Sequence, residues 1–392
     1  MNKTFSSQNP EENRSSRDRV LNLLESAKGE YLSGEYLASE LNLSRTAVWK
    51  AVKKLRSVGY SIDAVTNRGY ALTHKNDILS AESIRRYIIE IAASGEVNFG
   101  VPDLEAQMIG TGAISLESLQ LEVSEVVDST NDICLRRAAR GEHSSFAAIA
   151  GCQTRGRGRR GRTFYSPDGS GLYMSMLLRP FGINGQNAQK LTTLAAVAVS
   201  EAIEAVAGVP ADIKWVNDIY VRGRKVCGIL TEASFNLEDG TLDYAVVGIG
   251  INVYEPKGGF PESIRDRAGS LASAPGGYVP SDNKGLPSGE SLLANGGRNR
   301  LAAEVLSRFY AYCLAELKAL ANPDKQSPAQ GRYMNEYRRR CFVIGHEVDV
   351  LKAGAPPVTA LVTGLDDECH LYVRYEDGSE EALSSGEISI RV

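Results

Sequence analysis

The densest chemistry in the chain is a run of seven residues, GRGRRGR, from Gly156 to Arg162, with Arg155 just before it. Five arginines (155, 157, 159, 160 and 162) present planar forks that clamp a carboxylate or a phosphate in fixed geometry. The interleaved glycines let backbone N–H groups come close to an anion. The run follows an apolar strand pattern, FAAIAGCQ, and precedes FYSPDGSGLYMSM, a second one. That places it in a loop at a strand edge, where a substrate loop belongs. An arginine–glycine tract that binds RNA without sequence preference is the other reading, but such tracts sit in polar tails rather than between strands. Away from this run, KWVND at 214–218 puts Lys214 at the end of a strand. Taken alone it is a surface lysine.

A second basic cluster has a different character. Over 45–58 the spacing predicts a short helix with an apolar stripe of Val48, Ala51, Val52 and Leu55. Arg45, Lys50, Lys53, Lys54 and Arg56 supply five positive charges on it, and it carries no acid. A helix set by a tight turn can enter the major groove, its first side chains meeting base edges while lysine and arginine neutralise phosphates. Ser44, Arg45, Thr46, Lys50, Lys53, Lys54 and Arg68 are the DNA-binding candidates, with Arg45 and Thr46 closest to base edges. A solvated helix on an ordinary three-helix bundle is the competing reading.

The elements that must position these groups follow from pattern and composition. The 392 residues suit two or three domains. Net charge is −4, yet residues 1–80 hold twelve Lys/Arg against nine Asp/Glu, as expected of a nucleic-acid module joined to something acidic. No apolar run reaches the ~20 residues of a membrane span, and the polar N-terminus has no signal-peptide core. Six cysteines without a CxxC pair argue against a disulfide framework or zinc site and fit a reducing cytoplasm. No structural metal is expected.

Residues 1–16 read as a frayed tail. Residues 17–78 read as three helices, the second over 34–41 capped by Ser33 and the third capped by Ser44 and ended by Gly59, then a hairpin around 67–69. A linking helix over 79–92 and an aperiodic stretch to 120 follow. Residues 121–340 alternate strands and helices around a mixed sheet, with a helix over 188–207, a helical stretch over 299–340 and a Gly/Pro/Ser-rich loop at 274–298. Residues 341–392 read as short strands of a small barrel.

In order along the chain, DSTN at 128–131, QTRGRGRRGR at 153–162, SPDGSGLYMS at 166–175, KWVND, KVCGILTE at 225–232, GIGINV at 248–253 and GEISIR at 386–391 resemble the bifunctional biotin–protein ligases and biotin operon repressors. Residues 32–72 resemble the winged helix-turn-helix of that family. The resemblance implies a multi-domain α+β chain: a winged helix-turn-helix, a mixed-sheet biotin/lipoate-ligase-like catalytic domain and an SH3-like C-terminal barrel. It implies synthesis of biotinyl-5'-AMP from biotin and ATP, transfer of biotin to a lysine of a biotin carboxyl carrier protein, and biotin-responsive repression by a liganded homodimer on operator DNA.

Under that resemblance, Ser129, Thr130, Asn131 and Gln153 meet the ureido group of biotin, with Gly156, Gly158 and Gly228 close to the ligand. Ser129 and Thr130 also suit a helix N-cap, and both roles can coexist. Lys214 and Arg159 are the catalytic choices, facing biotin's carboxylate and the α-phosphate. Arg157, Arg159 and Arg160 hold biotin and the phosphates, the division among them left open. Asn217, Gly250 and Asn252 join the ATP set, although Asn217 also suits a turn and Gly250 a bulge. Mg²⁺ arrives with ATP.

Two departures stand out. Val216 occupies a position where the family usually has Pro, and the stretches 95–120 and 274–298 are longer than the family pattern. Three alternatives stay open: a biotin sensor with an inactive ligase fold, a lipoate ligase, and a ligase that does not bind DNA.

Overall fold

The structure is a computed structural model that describes residues 15–27, 29–72, 77–97, 119–142, 145–179, 188–236, 242–272, 297–321, 332–352, 354–384 and 387–390. Of the two long stretches, residues 98–118 and 273–296 lie outside the described residues, as do residues 1–14 of the tail.

Three helices open the chain: α1 (Ser16–Ser26), α2 (Gly34–Glu40) and α3 (Arg45–Ser57). Each begins one residue after a serine whose hydroxyl accepts an otherwise orphaned amide: Ser15 from Asp18, Ser33 from Tyr36 and Ser44 from Ala47. Ser15 and Ser16 therefore belong to α1 rather than to the tail. Val48, Ala51, Val52 and Leu55 of α3 pack with Val20, Leu24 and Leu37. Gly59, at φ +100°, turns the chain out of α3 into the hairpin of β1 (Ile62–Val65) and β2 (Gly69–Leu72). Leu32 and Tyr70 exchange both backbone hydrogen bonds and tie this wing to the helices. A Cβ on Gly69 would lie 2.0 Å from the Leu32 oxygen, so the close approach needs glycine.

Helix α4 (Ala81–Ser94) connects this unit to the next and is capped by Ser80. Toward α1, Ser83 Oγ donates to Glu25 at 2.8 Å and Arg86 pairs with Glu25 at 2.9 Å.

The central sheet runs β3 (Gln120–Val127), β4 (Phe146–Gln153), β5 (Gly171–Leu178), β9 (Leu242–Asn252), β8 (Arg224–Phe235), β7 (Asp218–Val221), β6 (Asp212–Lys214) in spatial order. Only β3 and β4 are parallel, so the sheet is mixed. Helices α6 (Ala188–Ala207) and α8 (Gly297–Ala321) cover one face; α5 (Thr130–Ala139) covers part of the other. Strand β5 is buried at every position, which explains its unbroken apolar run GLYMSMLL.

Successive strand residues point to opposite faces. Leu172, Met174, Met176, Val247, Ile249 and Ile251 join the large core under α6 and α8. The alternate set, Tyr173, Ser175, Gly248, Gly250, Asn252, Gly228 and Glu232, faces the α5 side. Glycines there leave a depression where a core would otherwise be.

The helical stretch expected over 299–340 is two helices, α8 and α9 (Arg332–Arg340). A short α7 (Glu262–Arg265) precedes them. The C-terminal β10 (Glu347–Leu351), β11 (Val358–Leu365), β12 (Leu371–Tyr375), β13 (Glu380–Leu383) and β14 (Glu387–Ile390) form an antiparallel five-stranded sheet in the order 13-12-11-10-14. No described helix is long and apolar enough to cross a membrane.

Candidate functional site

A cavity of about 370 Å³ opens over the glycine face of the sheet. Ser129, Thr130, Asn131, Gln153, Arg157, Gly158, Arg159, Lys214, Asn217, Gly228, Gly250 and Asn252 all line it, although they come from positions up to 123 residues apart in sequence. Among the expected residues, Gly156 and Arg160 do not. Gly156 is buried where a Cβ would meet the Phe164 carbonyl at 2.4 Å and Ser166 Oγ at 2.5 Å, so its role is to let the loop fold on itself. Arg160 takes a left-handed backbone, φ +56°, in a single 3₁₀ turn and points outward, exposed.

The N-terminus of α5 forms one wall. Ser129 caps it, accepting the Asp132 amide at 3.4 Å, so its capping role is observed. Thr130 donates through both its amide (2.9 Å) and its hydroxyl (3.1 Å) to Gln153 Oε1. Ser175 Oγ lies 2.7 Å from Thr130 Oγ1 and 2.6 Å from Asn131 Oδ1. Asn131 Nδ2 donates to Glu232 at 2.8 Å. Ser129, Thr130, Asn131 and Ser175 are all buried, and buried polar groups fixed by partners make a rigid recognition surface. Gly248 admits this arrangement, because a Cβ there would lie 1.9 Å from Asn131 Oδ1.

The arginine loop forms the adjoining rim. Arg157 bridges two carboxylates, Asp132 at 2.7 Å and Glu232 at 2.6 Å. Arg159 donates to Asn217 Oδ1 at 2.9 Å, while Asn217 Nδ2 donates to the Ile229 carbonyl at 2.9 Å. Asn217 therefore aims Arg159 across the cavity instead of only closing a turn. Asn252 is committed to the Gly269 carbonyl at 3.0 Å. Asp218 pairs with Lys225 at 2.6 Å.

Lys214 ends β6 opposite Asp218 and faces the cavity. The turn that follows it is held without proline. Trp215 Nε1 donates to the Cys369 carbonyl at 3.0 Å, and Tyr337 Oη donates to the Val216 carbonyl at 3.1 Å. The Trp215–Val216 peptide is cis. Thus α9 and the C-terminal sheet brace the Lys214 turn, and Leu351 and Ile388 of that sheet also line the cavity.

Four contributors escaped the sequence reading. Phe164 stands over Gly228 and Gly250, where added Cβ atoms would lie 3.2 and 2.6 Å from its ring. Tyr173 meets that ring edge-on at 6.3 Å between centroids. Glu232 and Ser175 stand behind the polar wall, bonded to Asn131, Thr130 and Arg157. The available signal was strand alternation, since Glu232 shares a face with Gly228 and Ser175 with Tyr173.

Among the described residues, no group of three His, Cys, Asp or Glu side chains is placed to hold a metal. Burial pushes the thiols of Cys134 and Cys227 up, Cys134 to about 12, leaving them protonated packing groups.

On α3 and the wing, Arg45, Thr46, Lys50, Lys53, Lys54 and Arg68 are all exposed. Ser44 is committed through its hydroxyl to capping α3. The Arg68 guanidinium stacks 4.4 Å from the Tyr31 ring centroid, which fixes the wing tip. Arg56 instead ties α3 to the Ile62 carbonyl at 3.0 Å.

Three family models match the chain. They are an HTH domain over residues 17–71, the Biotin/lipoate A/B protein ligase family over 123–252, and the Biotin protein ligase C terminal domain over 343–391. The chain is 37% identical over 260 residues to Bifunctional ligase/repressor BirA of Bacillus spizizenii, covering 66% of this chain and 72% of that protein. It is 28% identical over 371 residues to the protein of the same description from Escherichia coli, covering 93% and 94%. Among solved structures, a mutant biotin protein ligase from Aquifex aeolicus in complex with biotin superposes with a TM-score of 0.50 at 30% identity, covering 69% of this chain and 98% of that one.

Proposed function

The chain belongs to the family of bifunctional biotin ligase/repressors, and on that footing we propose that its glycine-face cavity joins biotin to AMP and then passes biotin to a carrier protein's lysine. The observation that carries this is the convergence of Lys214 and Arg159, two cations on braced turns, beside a buried polar wall.

The polar wall suits a neutral ring with a ureido group. Ser129, Thr130 and Asn131 offer hydroxyl and amide partners, with Ser175 holding Thr130 and Asn131 from behind, and the aromatic face of Phe164 covers the apolar ring. The carboxylate tail then points at Lys214 and Arg159. These cations draw it toward the α-phosphorus of ATP. One carboxylate oxygen bonds to phosphorus and pyrophosphate leaves. Negative charge grows on the phosphoryl oxygens as it does so, and fixed cations stabilise that charge more than they stabilise the reactants. In the second step a lysine amine of the carrier attacks the acyl carbon, AMP leaves, and the amine gives up a proton.

Mg²⁺ fits this site as a passenger on the triphosphate. Asp218 is paired with Lys225 and Asn217 is bonded at both ends, so the described residues of the site offer the ion no cage. Bound there, the ion neutralises phosphate charge. The adenylate is also the proposed corepressor: its occupancy favours a homodimer whose two α3 helices meet a two-part operator in DNA.

The test is to incubate the chain with MgATP, biotin and a purified biotin carboxyl carrier domain, and to follow carrier biotinylation by streptavidin blot. Labelled carrier that requires both biotin and ATP is expected. An unlabelled carrier with intact biotin binding would replace the ligase reading with that of a biotin sensor.

A further inference from the structure

Helix α3 buries Val48, Ala51, Val52 and Leu55 and turns Thr46, Lys50 and Lys53 outward. At the edge of that outward face stands Trp49, 52% exposed. The protein's other tryptophan, Trp215, is 4% exposed. The apolar cluster of the domain is closed without Trp49, so folding does not explain an indole in water. Its neighbours are cationic: Arg45 precedes it by one turn, and Lys53, one turn on, holds Nζ 5.3 Å from the ring centroid. The helix has no acid. A flat apolar plate between two positive charges complements a surface that is anionic at its edges and apolar between them. In the major groove of duplex DNA the apolar group is the thymine 5-methyl.

Resting on the DNA-binding reading above, we propose that Trp49 is a specificity-determining residue of the DNA interface, packing its indole against thymine methyl groups between the cations of Arg45 and Lys53. RNA does not suit this surface, because its deep, narrow major groove excludes the helix and uracil lacks the methyl.

The experiment uses the full chain with biotin and MgATP and a duplex it selects itself from a random-sequence library. Each thymine of that duplex is replaced in turn by uracil, and affinity is read by fluorescence anisotropy for wild type and Trp49→Ala. Loss of one buried methyl should weaken wild-type binding about fourfold at one or two positions. In Trp49→Ala those same replacements should be silent, with pyrophosphate release unchanged. Uracil penalties that are absent from wild type, or equal in both proteins, overturn the proposal and leave the DNA-binding reading standing. Failure of wild type to select any duplex overturns both.

Discussion

Gly248 and Asn217 show how single residues set this site. A Cβ on Gly248 would meet Asn131 Oδ1 at 1.9 Å, so Gly248→Ala must push Asn131 away from Ser175 and Glu232. Overpacking of this kind costs about 1–3 kcal/mol. The expected result is a rise in KM for biotin of about tenfold, with KM for ATP much less affected, measured by steady-state pyrophosphate release. Asn217→Ala removes the acceptor that aims Arg159. It should lower kcat about tenfold while costing the fold only about 1 kcal/mol by urea denaturation. Lys214, Arg159, Asn131 and Gln153, singled out by residue type and motif spacing, come together on the cavity. Gly156 and Arg160, named with them, do not line it. Within GRGRRGR the identities alone do not distinguish a glycine that meets ligand from one that admits the Phe164 carbonyl, nor an arginine pointing in from one carried outward by a left-handed backbone. Phe164 and Glu232 were missed because their roles exist only once β8, β9 and the arginine loop are brought together.

At the scale of elements, local chemistry was easier to read. Ser33, Ser44 and Gly59 mark helix ends by physics that acts within four residues, and those ends fell where expected. The division of the 299–340 stretch was legible and overlooked: residues 322–331 read NPDKQSPAQG, with two prolines, a glycine and no apolar period, where a helix pattern must break. Ser44→Ala removes the cap of α3 and should cost about 1 kcal/mol. Because α3 carries the proposed DNA face while the cavity lies on the central sheet, operator binding should weaken in a mobility-shift titration while pyrophosphate release stays at the wild-type rate. Equal loss of both would contradict the separation of the two functions.

The whole molecule is joined at the start of α4. Arg298 pairs with Asp77 at 2.8 Å and also donates to the Gly171 carbonyl at 3.1 Å. Tyr254 Oη donates to Asp77 at 2.7 Å, and Asn299 bonds both to the Ile78 carbonyl and to the Ser80 amide. These contacts fasten the segment leaving the DNA-binding domain to α8, to the start of β5 and to the end of β9, the same end from which Gly250 and Asn252 line the cavity. Side-chain exposures of 11% and 14% mark the Arg298–Asp77 pair as largely buried. Arg298→Met should destabilise the chain by about 3–5 kcal/mol by leaving the buried Asp77 charge without a cation, with only Tyr254 and the residue-298 amide still donating to it. Amide exchange at Ser80 and Ile84 should quicken, and adding Asp77→Asn should recover part of the stability. None of this was visible in the sequence, where Asp77 and Arg298 are 221 residues apart.

The most direct test of the account is biotin-dependent release of pyrophosphate from MgATP by the full chain, beside Lys214→Ala. Release that requires biotin and falls by about 10²–10³-fold in the variant is predicted, the cost of removing one fixed cation from a developing phosphoryl charge. Release that persists at the wild-type rate in well-folded Lys214→Ala would contradict it.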